Sequence, residues 1–309
     1  MEIFKDTIIL IFCIGVICKG ATWLVDSASK IAKQLGISEL VVGLTIVAFG
    51  TSAPEFGVTI FAAIRGASNI SVGNIIGSNI FNLGIILGGA AIIQNLSTIG
   101  LKLRRDGFFL MLGSVLTAAM LWDLELTKIE GFILFVLLFV YLGYLYQRRD
   151  TTTVIPIKRE KIKIYDIYHL IAGFSMLFFG SHFLVSSATN LAHILGISQW
   201  IIGATIIAAG TSLPEFATSV IAVVRGHHGI SIGNLIGSDI FNVFGALGLA
   251  AILRDLPVEI TARPSLIIYP VMVIAALIFL RTDHLLTRKE GIILFLGGLA
   301  RWGYSFLAQ

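Results

Sequence analysis

Two glutamates, Glu55 and Glu215, each follow a proline within an apolar stretch, and the strings around them nearly repeat. They are Gly50-Thr51-Ser52-Ala53-Pro54-Glu55-Phe56 and Gly210-Thr211-Ser212-Leu213-Pro214-Glu215-Phe216. A second polar string follows each at the same interval, Gly73-Asn74-Ile75-Ile76-Gly77-Ser78-Asn79-Ile80-Phe81-Asn82 and Gly233-Asn234-Leu235-Ile236-Gly237-Ser238-Asp239-Ile240-Phe241-Asn242. On a helix, Thr51 and Ser52 share a face with Glu55, as Thr211 and Ser212 do with Glu215. The pairs Ser78 with Asn82 and Ser238 with Asn242 are spaced by one turn and also share a face. Proline removes one helical hydrogen bond and displaces the carbonyl four residues earlier. Pro54 and Pro214 are therefore expected to unwind their helices locally and to free carbonyls near Ala48 and Ala208.

Two carboxylates, several hydroxyls, two amides and free carbonyls are all hard oxygen ligands. Ca2+ takes about six to eight such oxygens, and Na+ is also satisfied by carbonyls and hydroxyls. No Cys or His joins the set, which argues against a soft metal. Two ionised glutamates at close range repel each other, so the empty site favours holding Ca2+, Na+ or protons. The competing reading makes these polar residues glue between packed helices. That reading suits the small-residue pairs Gly73-xxx-Gly77 and Gly233-xxx-Gly237, but not two glutamates beside proline in symmetric copies.

The elements that carry these groups must lie in a membrane. The chain has 309 residues, 56% of them hydrophobic and only 13% charged. A span needs about 20 mainly apolar residues, and ten such runs fit at 7–28, 40–64, 71–94, 107–123, 130–147, 166–190, 200–224, 231–253, 264–281 and 290–307. The runs are continuous rather than alternating, which argues against a β-barrel. The first is too long, and is followed by too many others, to be only a signal peptide. Cys13 and Cys18 lie inside it and suggest neither a metal site nor a disulfide framework. Lys19, also within this span, is expected to snorkel or to pair with Asp26. His227 and His228 read as a solvated turn.

The chain is written twice. Aligning residue i with i+160 over 35–92 needs no gap and leaves 32 of 58 positions identical. The register persists outside that block, where Asp123, Thr127, Glu130 and Gly131 face Asp283, Thr287, Glu290 and Gly291. The expected organisation is a five-helix repeat over 1–149, a cytoplasmic linker over 150–165 and a second five-helix repeat over 166–309. The α-repeat blocks proper cover about 40–94 and about 200–254 of this chain. Because five is odd, the second copy enters the membrane from the opposite side, giving inverted-topology repeats with a site near midplane. Fifteen Lys and Arg fall on one side against six on the other. The positive-inside rule then puts the linker in the cytoplasm and both termini outside.

The paired GTSxPE and GxxxGSxIFN strings resemble the α-repeats of the cation/Ca2+ exchanger superfamily, specifically its Na+/Ca2+ exchanger branch in compact microbial form. The resemblance spans essentially the whole chain. It implies an all-α integral membrane protein of ten helices, with the second, third, seventh and eighth lining the ion sites. It also implies alternating access by sliding of the first and sixth helices past that core. Position by position, Glu55 and Glu215 would ligand Ca2+ together with backbone oxygens of Thr51 and Thr211. Ser52, Ser78, Ser212, Ser238, Asn82, Asn242, Ala48 and Ala208 would complete the Na+ sites. Some members carry an acid at the position of Asn242; the amide here argues against K+ co-transport. Asp239 replaces the amide seen at Asn79 and lies about 60° around the helix from Asn242, beside the site.

The expected activity is secondary antiport of Na+, usually three in this family, for Ca2+ across the cell membrane by a multi-pass protein, without chemical catalysis. No cofactor, nucleic acid or obligatory protein partner is expected; Ca2+ and Na+ are substrates and the bilayer is the medium. A Ca2+/H+ antiporter using the same glutamates, a passive cation channel and a non-transporting scaffold are the rivals.

Overall fold

In hydrocarbon the backbone has no water to bond, so apolar runs satisfy their own polar groups as helices. The computed structural model describes residues 2–98, 101, 103–147, 164–194 and 208–307. Its helices are α1 (Glu2–Leu35), α2 (Glu39–Thr51), α3 (Ala53–Ile64), α4 (Ser68–Ile93), α5 (Leu103–Met120) and α6 (Lys128–Gln147) in the first half. The second half contributes α7 (Ile164–Ile194), α8 (Ala208–Thr211), α9 (Leu213–Val224), α10 (His228–Leu253), α11 (Arg263–Arg281) and α12 (Arg288–Leu307). Among the described residues seven of these are long and apolar enough to cross a bilayer. An eighth span results if α2 and α3, bent by 48° at their junction, count as one. Each of the ten expected runs overlaps a described helix, but the start of the seventh run (200–207) and linker residues 150–163 lie outside the described residues.

Among the described residues four two-residue strands interrupt the helical architecture. Leu96–Ser97 pairs antiparallel with Leu285–Leu286, and Glu125–Leu126 with Leu256–Pro257, so each pair clasps a connection of one half to one of the other. Side chains reinforce both clasps in matching ways. The Lys128 amide donates to Asp255 Oδ1 at 2.8 Å and the Arg288 amide to Asn95 Oδ1 at 3.0 Å. The repeated Thr127/Glu130 and Thr287/Glu290 are capping boxes. Each threonine amide donates to the glutamate three residues on at 2.8 Å, and the threonine hydroxyl accepts the glutamate amide in return.

Apolar packing divides into two clusters. The larger unites α2, α4, α5, α6, α10, α11 and α12 around residues such as Leu44, Ile75, Leu83, Phe244 and Tyr269. The smaller joins Ile17, Leu24 and Val25 of α1 and Leu177 of α7 to Val42, Val47, Ala217 and Ala222. α1 and α7 run antiparallel in close contact, with Trp23 stacked on His169 at 4.5 Å and Lys30 paired with Asp166 at 3.5 Å. Gly20 makes that approach possible, since a Cβ there would lie 2.8 Å from Met176 Cβ. The α1–α7 pair thus lies as a layer against the rest of the bundle. It rides over both helix junctions, where Gly50 faces the Phe174 ring and Gly210 faces Val185.

Two expectations need correction. Lys19 does not pair with Asp26. Its ammonium sits 5.4 Å from the ring centre of Trp23, one turn on, while Asp26, two turns on, is held by Arg225 at 2.5 Å. Nor is His227 part of a solvated turn. It is half-buried with Nδ1 2.9 Å from Glu39 Oε1, because the start of α2 packs beneath the start of α10. Ser29 of α1 donates to the same Glu39 oxygen at 2.6 Å.

The glycine pair of α10 serves packing as expected, whereas no described atom lies within 4 Å of a Cβ built on Gly73 or Gly77 of α4. A Cβ on Gly233 would lie 2.5 Å from the Leu40 carbonyl and 2.9 Å from the Leu44 amide, and one on Gly237 2.7 Å from Ala48 Cβ. Gly143 on α6 has open space instead. Gly233→Ala is therefore expected to destabilise the detergent-purified protein by about 1–3 kcal/mol through overpacking against backbone. Gly143→Ala should instead raise stability by about 0.5–1 kcal/mol through helix propensity. Melting temperatures of the two variants, measured side by side, check the contrast.

Candidate cation site

Where α2 meets α3, Ser52 has φ −78° and ψ 4°, off the helical path, and Pro54 lies in the first turn of α3. Proline is tolerated there because first-turn amides have no helical partner. Ser212 (φ −87°, ψ 9°) and Pro214 repeat the junction between α8 and α9. The carbonyl that loses its donor is the one four residues before the proline, Gly50 in the first half. The expectation of a freed Ala48 carbonyl is corrected accordingly. It accepts the Ser52 amide at 3.0 Å and the Thr51 hydroxyl at 3.4 Å, so its helical bond is kept. Ala208 opens α8.

Among the described residues three stretches widen into π-helix: Gly43–Val47 in α2, Asn82–Leu87 in α4 and Phe241–Leu247 in α10. A π turn inserts an extra residue and re-aims the side chains around it. Asn82 opens one such stretch and Asn242 is the second residue of another.

At the centre, Glu55 and Glu215 are completely buried. Their donors come from across the molecule. Ser52 Oγ donates to Glu215 Oε1 at 3.0 Å, and Ser212 Oγ donates to Glu55 Oε1 at 3.0 Å. Ser238 Oγ adds a bond to Glu215 Oε1 at 3.4 Å. The Thr51 and Thr211 hydroxyls also reach the glutamate of the opposite half. Thr51 cannot serve all its neighbours, because its single proton also faces Asn234 Oδ1 at 3.0 Å.

Carboxylate and amide oxygens in this region lack donors, while the buried hydroxyls of Thr218 and Ser231 on the same helices are unpartnered too. Among the described residues five buried acceptor oxygens here have no hydrogen-bond partner: Glu55 Oε2, Glu215 Oε2, Asn82 Oδ1, Asn242 Oδ1 and Asp239 Oδ2. Leaving such atoms bare is costly, more so when they are charged. A hard cation resolves all of that with one kind of contact. Among the described residues no group of three or more Asp, Glu, His or Cys is placed to grip a metal. The set is two carboxylates eked out by neutral oxygens, which suits reversible binding better than a permanent structural ion.

A family model described as sodium/calcium exchanger protein matches residues 5–147 and 166–297. The chain belongs to the sodium/calcium exchanger family. It is 33% identical to the sodium/calcium exchanger MaX1 of Methanosarcina acetivorans, over 94% of this chain and 95% of that protein. It is 35% identical to the putative antiporter CaxA of Alkalimonas amylolytica, over 92% of each. Its fold matches a structure of the sodium-calcium exchanger NCX_Mj soaked with 2.5 mM Na+ and 0.1 mM Ca2+. There the TM-score is 0.83 at 29% identity, covering 96% of this chain and 97% of that one. The same exchanger soaked with zero Na+ and Ca2+ matches with a TM-score of 0.85 at 28% identity.

In this exchanger the structure brings together most of the residues singled out in the sequence. Glu55, Glu215, Thr51, Ser52, Ser212, Ser78, Ser238, Asn82 and Asn242 are all buried, and Thr211 is partly so. Their partners differ from those that helical spacing suggested. Ser52 bonds the glutamate of the other half, although it shares a turn with Glu55. Asn74 and Asn234 went unassigned, yet they brace the junctions. Asn74 donates to the Glu55 carbonyl at 3.3 Å and to Thr59 at 3.0 Å; Asn234 donates to the Glu215 carbonyl at 3.5 Å and to Ser219 at 3.1 Å. Their repetition in the paired strings was the available signal. Tyr269 of α11, hydrogen-bonded to Asn79 at 2.8 Å, had none, since its counterpart is Phe109. Asp239 is tied to the site as well, accepting from Asn82 Nδ2 at 3.0 Å.

The crossed pairing is open to a double-mutant cycle. Ser52→Ala and Glu215→Gln should couple by about 1–2 kcal/mol in unfolding free energy, as expected for a hydrogen bond to a buried charge. Ser52→Ala and Glu55→Gln, though closer in sequence, should couple by less than about 0.5 kcal/mol.

Proposed function

We propose that the chain is a secondary antiporter that exchanges Na+ for Ca2+ by alternating access. The observation that carries this reading is the buried cluster of donor-poor oxygens around Glu55 and Glu215. Glu55 and Glu215 share Ca2+ with the backbone oxygens of Thr51 and Thr211. Ser52, Ser212, Ser78, Ser238, Asn82, Asn242 and the carbonyls of Ala48 and Ala208 complete sites for Na+. The Ala48 carbonyl accepts both its helical donor and the Thr51 hydroxyl, so it takes an ion when that hydroxyl turns to Asn234 or Glu215. The names borne by MaX1 and NCX_Mj favour the same pair of ions.

In this proposal ten spans form two inverted five-helix repeats, with the linker in the cytoplasm and both termini outside. The α1–α7 layer slides over the junctions at Gly50 and Gly210, exposing the site to one side and then the other. Two buried glutamates left without cations repel each other, which disfavours moving the empty site and enforces exchange. Three Na+ for one Ca2+ moves one net charge, and about 2.3 kcal/mol per 100 mV then helps drive Ca2+ outward when the interior is negative.

The test is radioactive Ca2+ uptake into proteoliposomes loaded with Na+ and diluted into Na+-free medium at clamped voltage and matched pH. Uptake is expected only with internal Na+, not with internal K+, and Glu55→Gln or Glu215→Gln should reduce it to the level of empty liposomes. Uptake driven by a proton gradient without Na+ would make the protein a Ca2+/H+ antiporter. Ca2+ entry with no counter-ion at all would make it a channel.

A further inference from the structure

Asn79 and Asp239 occupy corresponding positions of the two halves, and their surroundings are not equivalent. Asn79 uses all its side-chain groups. Its amide nitrogen donates to the Asp239 carbonyl at 3.2 Å and to the Tyr269 hydroxyl at 2.8 Å, and its Oδ1 accepts from Asn242 at 3.0 Å. Asp239 accepts from Asn82 through Oδ1 at 3.0 Å, and its Oδ2 is buried with no partner. The residue matching Tyr269 is Phe109, which has no hydroxyl to offer. Among the described residues no Lys, Arg or His forms an ion pair with Asp239.

These hydrogen bonds join Asn242, Asn79, Asp239 and Asn82 into one chain across α4 and α10. Three of its four side chains end in a bare acceptor: Asp239 Oδ2, Asn82 Oδ1 and Asn242 Oδ1. A purely structural role would be filled better by asparagine, as in the first half, because an unpaired buried carboxylate oxygen is strongly unfavourable. One carboxylate and two amide oxygens carry a single formal charge. That suits a hard monovalent cation, whereas Ca2+ draws on more oxygens and more charge.

We propose that Asp239 is a third acidic ligand of the transport site, holding one Na+ together with the amide oxygens of Asn82 and Asn242. The inference rests on the Na+/Ca2+ exchanger reading and assigns one of its Na+ positions. Three acidic side chains in the site then balance three Na+, and Ca2+ occupies the glutamate pair.

The experiment compares wild type with Asp239→Asn, which installs the residue the first half already carries. Ion-induced shifts in melting temperature are followed in detergent, with Na+ replacing choline in one series and Ca2+ added without Na+ in the other. For Asp239→Asn the half-saturating Na+ concentration should rise about tenfold, the loss of roughly one favourable charge contact. The Hill coefficient for Na+ should fall by about one, with Ca2+ half-saturation changing less than about threefold. Should the amide variant fail to fold in choline, Asp239→Ser carries the same two series. An unchanged Na+ response would overturn the proposal and leave Asp239 a packing residue. Equal losses for Na+ and Ca2+ would also overturn it, by assigning Asp239 to the shared glutamate site. Wild type that stabilises with Na+ but shows no Na+-driven Ca2+ flux would count against the exchanger reading alone.

Discussion

The rest of the structure answers to one imbalance: more buried oxygen acceptors than protons to satisfy them. Glu55 and Glu215 each present one oxygen to serine donors and one to nothing. Burying paired carboxylates costs more than their hydrogen bonds return. In the proposed function, cations supply the missing partners. A protein that folds around such a deficit must find its stability elsewhere, and the apolar cluster spanning α2, α4–α6 and α10–α12 is where it does so.

Holding the deficit in place explains the irregular backbone. Pro54 and Pro214 start a new helix segment immediately after the serines, so Ser52 and Ser212 can leave their own helices and reach the opposite glutamates. The π stretches at Asn82 and Asn242 turn both amides toward the same region. Close approach of α10 to α2 then requires Gly233 and Gly237, where any side chain would meet backbone. Outside the bundle core, the two-residue clasps and the capping boxes at Thr127 and Thr287 tie the halves together at the connections. The breaks are therefore confined to the level of the site.

The apolar runs, the duplication and the identity of the oxygen-bearing residues were legible because each leaves a local or periodic mark. Two carboxylates in symmetric copies are visible without any coordinates. What was not legible depends on contacts between distant segments. Helical spacing groups Ser52 with Glu55, but only packing of the two halves reveals that Ser52 bonds Glu215. The π turns have no spacing signature, since they arise from packing rather than from a residue type. Lys19 and Asp26 look like partners on one helix, yet Trp23 and Arg225 offer nearer groups. The Ala48 carbonyl keeps its helical donor because proline displaces the carbonyl four residues before it, which is that of Gly50.

The two halves share a plan without sharing every contact, and that difference bears on how an exchanger of this design would move. The α1–α7 layer is fastened to the bundle by Asp26 on Arg225 and by Ser29 on Glu39, which also holds His227. The corresponding residues of the other half are Ser186 for Asp26, Gln199 for Glu39 and Ala67 for His227, so the same ionic contacts cannot form there. Apolar contacts such as those of Leu24, Val25 and Leu177 can be exchanged during sliding at little net cost. Charged contacts at half-exposed positions contribute only about 0.2–1 kcal/mol each. That is too weak to lock the layer, yet a difference of about 1.4 kcal/mol shifts a two-state population tenfold. Under the exchanger reading, repeat symmetry supplies two orientations of similar packing. A polar contact made at α1 in only one of them would favour that orientation by a modest factor.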